Sequence, residues 1–222
     1  MTAKPLLPQT FWFRIAANCP RVEDFPQSDN PWALLDLPAS CALPELAQLD
    51  GRESWAEVRV GWNARGLGIA IRADGVADLQ LQPDRPEGFA NVHLWIDTRD
   101  SRNVSRATRF CTRFGAHLSV RGAKTQLTVE AGRRPIARAT AEPPVFPHGL
   151  IVSRSELSRA KWMLELFLPA QVLHGFDPET NRRLGFAYQI SDHVREDQFL
   201  GVGRDFPLGE NPSLWSTLDL RD

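Results

Sequence analysis

The sequence predicts an all-β protein built as a two-sheet antiparallel β-sandwich, and three observations predict it. Apolar and polar residues alternate with a period of two through most of the chain. Gly, Pro, Asp and Asn punctuate the alternating runs, and helical periodicity is nearly absent. A length of 222 residues, 42% of them hydrophobic and seven of them tryptophan, is ample for a buried core. With no internal repeat, low-complexity tract or clear linker, residues 1–222 read as one domain, with an irregular N-terminal segment of about residues 1–45 packed on it.

The elements follow in order. Between Pro20 and Pro44 the chain is rich in proline and poor in strand pattern, which reads as a connection lying across the sandwich, anchored by Trp32 and Leu35. "WAEVRVGW" (55–62) alternates, "NARG" turns, and "LGIAIRA" (67–73) alternates again, which describes a hairpin. Further strands are expected at "VHLWID" (92–97), "TQLTVEA" (125–131), "PIARATA" (135–141), "LIVSRSEL" (150–157), "WMLELFLP" (162–169) and "LGFAYQIS" (184–191). A helical turn is expected only near "PAQVLHG" (169–175).

Composition limits the chemistry. The 26 Lys and Arg are matched by 27 Asp and Glu, with 12 basic against 14 acidic residues up to Cys111 and 14 against 13 after it. Neither half carries the positive excess on which nucleic-acid affinity rests, so no nucleic-acid partner is expected. No apolar run reaches the roughly 18–20 residues of a membrane helix, and the first twenty residues lack a secretory pattern. Cys19, Cys41 and Cys111 are odd in number and widely spaced, so they are expected to pack as small hydrophobes in a reducing, cytoplasmic setting.

Several separated motifs, taken in their order, resemble a known family. The hairpin leads to "VHLWIDTRD". Then come "WMLELFLP" with Trp162, Glu165 and Pro169, "LGFAYQISD" with Gly185 and Asp192, and "PSLWSTLDL" with Trp215. This order is similar to that of the family 9 carbohydrate-binding modules and the related DOMON-like sandwiches, over roughly residues 45–220. The resemblance implies a jelly-roll-like sandwich and, in sugar-binding members, a ligand gripped between aromatic side chains, sometimes beside structural calcium. It also makes Glu165 structural. The arginine-rich segment after "LWID" lies outside the ordinary module pattern and points to an intracellular branch.

That segment places Arg99, Arg102, Arg106, Arg109 and Arg113 within fifteen positions. As a helix it would form a basic stripe; as loop plus strand, "RFCTRFGAHLSV" pairs in the sheet, with Arg109 and Arg113 on the face of Cys111. The resemblance and the β surroundings favour the strand. Guanidinium forks suit a carboxylate or phosphate, so Arg99, Arg109 and Arg113 are candidate contacts for an anion or acidic sugar; the alternative is a solvated face paired locally with Asp97 and Asp100. In "VHLWID", alternation puts Val92, Leu94 and Ile96 on one face and His93, Trp95 and Asp97 on the other. An indole beside a carboxylate and an imidazole suits a pyranose, whose C–H face stacks while its hydroxyls hydrogen-bond; the alternative is that this face is covered and Trp95 is core. Trp12, Trp32 and Trp62 lie where a further aromatic platform could be built, whereas Trp55, Trp162 and Trp215 read as structural.

No catalytic or metal site is expected. His93, His117, His148, His174 and His193 lack zinc spacing, and no cofactor motif occurs; structural calcium is left open at "DTRD" (97–100) and "SDHVRED" (191–197). The loop "GVGRDFPLG" (201–209) follows no strand-to-helix turn and is read as a loop. Glu165 with Asp192 or Asp97 is the one carboxylate pair open to glycosidase chemistry, subject to their separation. The expected function is a non-catalytic module for a carbohydrate or other polyhydroxylated ligand. The alternative is an intracellular structural or protein-interaction domain that has lost sugar binding.

Overall fold

The computed structural model describes residues 7–27, 29–30, 33–74, 89–121, 126–158 and 161–222. Its strands are β1 (Ala16–Pro20), β2 (Ala56–Asn63), β3 (Gly66–Asp74), β4 (Ala90–Asp97), β5 (Cys111–Arg121), β6 (Gln126–Arg134), β7 (Val152–Leu157), β8 (Lys161–Pro169), β9 (Arg183–Asp192), β10 (Gln198–Phe199) and β11 (Ser216–Arg221). They form a two-sheet sandwich. The seven-stranded sheet runs β1-β11-β9-β4-β5-β6 with β10 on β9, and the four-stranded sheet runs β2-β3-β8-β7. Among the described residues no helix is long and apolar enough to cross a membrane.

Alternation explains the layers. Val58, Val60 and Trp62 on β2, Leu67, Ile69 and Ile71 on β3, and Trp162, Leu164, Leu166 and Leu168 on β8 all enter the core between the sheets. Val92, Leu94 and Ile96 meet them from β4, with Phe114, Ala116 and Leu118 from β5 and Phe186, Tyr188 and Ile190 from β9. Each large apolar side chain buried this way contributes about 1.5–3 kcal/mol. The predicted hairpin forms as β2 and β3, paired from Ala56↔Ala73 to Asn63↔Gly66. Asn63 Oδ1 accepts the Arg65 N–H at 2.9 Å to close the turn, and Gly66 follows at φ 148° with the Leu168 carbonyl where a Cβ would sit.

The sheets are also stitched by a polar group. Gln198 is 5% exposed. Its Oε1 accepts the Trp55 and Ala56 N–H groups at 2.8 and 2.9 Å, and its Nε2 donates to the Ala56 carbonyl at 2.8 Å and to Tyr188 Oη at 3.1 Å. β10 of one sheet is thereby tied to the start of β2 in the other.

Some expectations are corrected. The N-terminal segment is not wholly irregular, because β1 pairs in parallel with β11, so the sheet is not purely antiparallel. Beyond β1 it does cross the outer face of the four-stranded sheet, where Phe25, Leu35 and Leu37 pack on Ala70 and Phe167; Trp32 lies outside the described residues. "PIARATA" is not a strand: the ladder with β5 ends at Arg134, and Thr140 turns to donate its N–H to the Ala107 carbonyl at 2.8 Å. Trp62, a candidate platform, is fully buried in the core.

The Glu165 of the "Trp-x-x-Glu" strand is structural in its contacts. It is 1% exposed, accepts the Leu34 N–H at 2.8 Å and lies 3.6 Å from Arg154 Nη1. Glu165→Ala is expected to lower unfolding free energy by about 2–4 kcal/mol in urea titration, because it strands a buried N–H and loosens the N-terminal cover. A loss below about 0.5 kcal/mol would show that this carboxylate does not hold the cover down.

Candidate functional site

Strand β4 lies between β9 and β5, its inward face buried and its outward face half-buried at Asn91 and His93 and buried at Trp95 and Asp97. On its outward face, Trp95 is flanked by Ala187 of β9 and Arg113 of β5, and His93 by Gln189 and Gly115. Arg113 in turn stands opposite Arg134 of β6, and Gly115 opposite Gly132. Gly115 supplies room: a Cβ there would come 2.9 Å from Arg134 Cγ and 3.3 Å from His93 Nδ1. Two arginines and an imidazole therefore crowd one small region of sheet.

Loops cover this face. Ala107, Phe199, Leu208 and Trp215, helped by Ile136 and Ala139, pack against Trp95 and Ala187 in a second apolar cluster. A cleft of about 250 Å³ remains, floored by Trp95, Arg113 and Gln189 and walled by Phe206, Leu208 and Gly209. The Trp95 indole is 3% exposed, with the Arg113 guanidinium 5.3 Å from its centroid. Phe206 is partly exposed, and Phe11 stacks on it at 4.9 Å.

The polar atoms here are incompletely satisfied. Trp95 Nε1, Arg113 Nε and His93 Nδ1 are buried and have no hydrogen-bond partner among the described residues. Burial, then the charges of Arg113 and Arg134, lower the His93 pKa to about 4, against a weaker opposing pull from Asp197. The imidazole is thus neutral at pH 7. Burial and then Arg134 lower the Arg113 pKa as well. Nearby carboxylates are already engaged: Asp197 accepts from Gln189 Nε2 at 2.5 Å and Arg204 Nε at 2.7 Å, and Glu210 lies 3.8 Å from Arg138.

Of the six candidate residues, Trp95 and Arg113 line the cleft, and His93 stands next to them on β4, its ring 5.9 Å from that of Trp95. Asp97 instead organises the loop that follows β4: it is 1% exposed, Oδ1 accepting the Arg99 N–H at 2.9 Å and Oδ2 the Ser101 N–H at 2.7 Å. Arg99 and Arg109 lie over the Phe110 ring, at 4.7 and 5.1 Å, and Arg99 also donates to the Gly175 carbonyl at 2.9 Å. Arg102 and Arg183 meet Asp100 at 3.0 and 3.4 Å. The segment is loop plus strand, with Cys111 opening β5, so no helical stripe forms. Of its loop arginines, Arg102 has the local pairing with Asp100 that was the alternative, and Arg99 and Arg109 pack on Phe110; Arg113, on the strand, has no carboxylate partner among the described residues.

Residues 203–209, read only as a loop, supply a wall of the cleft, and Gln189 and Arg134 were also missed. Alternation in "LGFAYQIS" sets Gln189 outward, but pairing it beside His93 requires the β4–β9 register. The acidic motifs open to calcium are engaged too: Asp192 accepts the Val194 and Arg195 N–H groups at 2.9 and 2.7 Å. Among the described residues no group of three or more His, Cys, Asp and Glu is placed to hold a metal ion. Glu165 sits on the outer side of the four-stranded sheet and Asp97 on the outer side of the seven-stranded sheet, so the core separates that carboxylate pair. The three thiols are free and buried, and burial pushes Cys111 up to about 11.

Two larger hollows are weaker candidates. One, of about 600 Å³ beside Arg72, Asp74 and Lys161, borders stretches outside the described residues. The other, a groove of about 1550 Å³, is lined by charges that pair internally, as with Asp50 and Arg52, Asp192 and Arg195, and Asp197 and Arg204.

No family model and no curated protein matches the chain. Among solved structures it is similar to a family 9 carbohydrate-binding module from Caldicellulosiruptor kristjanssonii in complex with cellotriose, at 16% identity over 77% of this chain and 78% of that one, with a TM-score of 0.49. A structure of a family 9 module from the same organism in complex with glucose gives 15% identity, 77% and 80% coverage and a TM-score of 0.49. At this level of likeness, the residues of the cleft carry the functional reading.

The crowded imidazole gives an acid signature. An unfolded chain protonates His93 near its ordinary value of 6.5, whereas the folded chain refuses the proton until about 4. Below pH 6.5 the unfolded state therefore binds more protons, and stability is lost as pH is lowered from about 6.5 to about 4. His93→Gln should flatten this part of the stability profile, measured by urea midpoint against pH; an unchanged slope would contradict the burial of the His93 ring beside two cations.

Proposed function

We propose that this protein is a non-catalytic binding module for a carbohydrate or similarly polyhydroxylated ligand, held in the cleft on the outer face of the seven-stranded sheet. One observation carries the reading: the cleft combines aromatic walls with buried N–H donors, at Trp95 Nε1 and Arg113 Nε, that have no acceptor among the described residues. Buried donors left unpaired cost free energy, and a ligand rich in oxygen acceptors recovers it. The partly exposed Phe206 ring offers a face for sugar C–H groups, with Trp95 at the floor. Trp95 and Arg113, with Gln189 and Phe206, form the contact surface, and His93 stands behind them on β4; Asp97 maintains the neighbouring loop, and Arg99 and Arg109 lie on its Phe110 side.

A second reading rests on a different surface. Phe11, Trp12 and Phe13 are 40%, 67% and 59% exposed in the segment ahead of β1. The Gln9 N–H and Thr10 hydroxyl hold this segment to Asp50 at 2.5 and 2.8 Å. An exposed aromatic run on a fixed turn suits a protein partner, the interaction-domain alternative.

Intrinsic tryptophan fluorescence titrated with neutral and acidic mono- and oligosaccharides tests the first reading. A saturable change is expected. Phe206→Ala should weaken it about three- to ten-fold by removing one aromatic face, and Trp95→Phe should remove most of the signal while keeping the apolar floor. A flat response across the panel would contradict sugar binding and favour the Phe11–Phe13 surface.

A further inference from the structure

An arginine of the cleft and its cross-strand neighbour constrain the kind of sugar: Arg113 lines the cleft, and the exposed Arg134 lies beside it on the next strand. Arg113 and Arg134 stand directly opposite one another on β5 and β6, on the same outward face. Like charges in directly opposed positions destabilise a sheet. Neither forms an ion pair among the described residues, although most arginines around them do. Arg133, the neighbour of Arg134 facing the other way, meets Glu142 at 2.5 Å; Arg138 meets Glu210 and Arg204 meets Asp197.

The polar surroundings do not compensate the pair. Arg113 Nη1 reaches only the Pro135 carbonyl at 3.5 Å, and its Nε is buried without an acceptor. Arg134 extends across Gly115 toward His93, which burial, and then the neighbouring cations, keep neutral. Glu210, which lines the cleft, and Asp197, which holds the cleft residues Gln189 and Arg204, each have partners of their own. Arg113 in the cleft and Arg134 beside it thus lack a paired carboxylate among the described residues, next to the buried N–H groups of Arg113 and Trp95.

We propose that the cleft selects a carboxylate-bearing sugar, a uronic acid, whose carboxylate accepts hydrogen bonds from Arg113 and Arg134 while its ring lies toward Trp95 and Phe206. The inference rests on the carbohydrate reading above and narrows its ligand class. The planar guanidinium fork matches a carboxylate in shape and charge, and hydrogen bonds to ionised groups are the stronger kind. The oppositely charged group also relieves the cross-strand repulsion, so the acidic ligand gains where a neutral one does not.

The test compares matched pairs by isothermal titration calorimetry on the full chain: glucuronate against glucose, galacturonate against galactose, and sodium acetate as the bare anion. At least one uronate is expected to bind about ten-fold or more tightly than its neutral partner. Its advantage should shrink as salt is raised and fall to within about two-fold in Arg134→Gln, which lies on an exposed position and keeps the fold by circular dichroism. Equal binding of acidic and neutral partners would overturn the inference and leave the carbohydrate reading standing. Acetate binding as tightly as the uronates would keep an anion site but contradict the sugar reading. Failure of all five probes to bind would overturn both.

Discussion

The double burial of β4 is the constraint on which the rest depends. Val92, Leu94 and Ile96 fill the core between the sheets while His93, Trp95 and Asp97 are covered from outside by loops. A slip of one residue would drive an imidazole, an indole and a carboxylate into an apolar core, so the core fixes the register. That same register sets Trp95 beside Arg113 and Ala187, and thereby defines the floor of the cleft. Stability and binding surface are two faces of one strand.

Covering the outer face has consequences for charge. The loop after β4 is built by Asp97 and Asp100, which capture backbone N–H groups and the guanidinium groups of Arg102 and Arg183. Those interactions neutralise Arg102 locally, while Arg99 and Arg109 pack on the Phe110 ring. Arg113 escapes them because it lies on β5 rather than on the loop, and the strand ladder places Arg134 rather than an acidic residue opposite it. The unusual feature is therefore not the number of arginines in the segment but the one whose partner is another arginine.

Much of the sandwich was legible in the sequence because period-two alternation directly reports which face of a strand is buried. The hairpin of β2 and β3 and the two faces of β4 follow from it. "PIARATA" alternates equally well yet forms a covering loop, since alternation does not reveal where a ladder ends. The parallel pairing of β1 with β11 joins opposite ends of the chain, and no local signal announces it.

The site was less legible for the same reason. His93, Trp95 and Arg113 were visible as outward residues of suitable chemistry, but the partners that make them a site come from β6, β9 and residues 203–209. Asp97, which looked like a sugar ligand beside Trp95, is taken by the backbone of its own loop. Spacing along a strand gives the face; only cross-strand register gives neighbours.

The most direct measurement is the nitrogen–proton spectrum of the tryptophan indole and arginine Nε–H groups during titration with uronates and neutral sugars. The account predicts saturable shifts of Trp95 Nε1–H and Arg113 Nε–H, with the Trp62 and Trp162 indoles, fully buried in the core between the sheets, unmoved. Shifts confined to Trp12, or none at either cleft donor at saturating ligand, would contradict it.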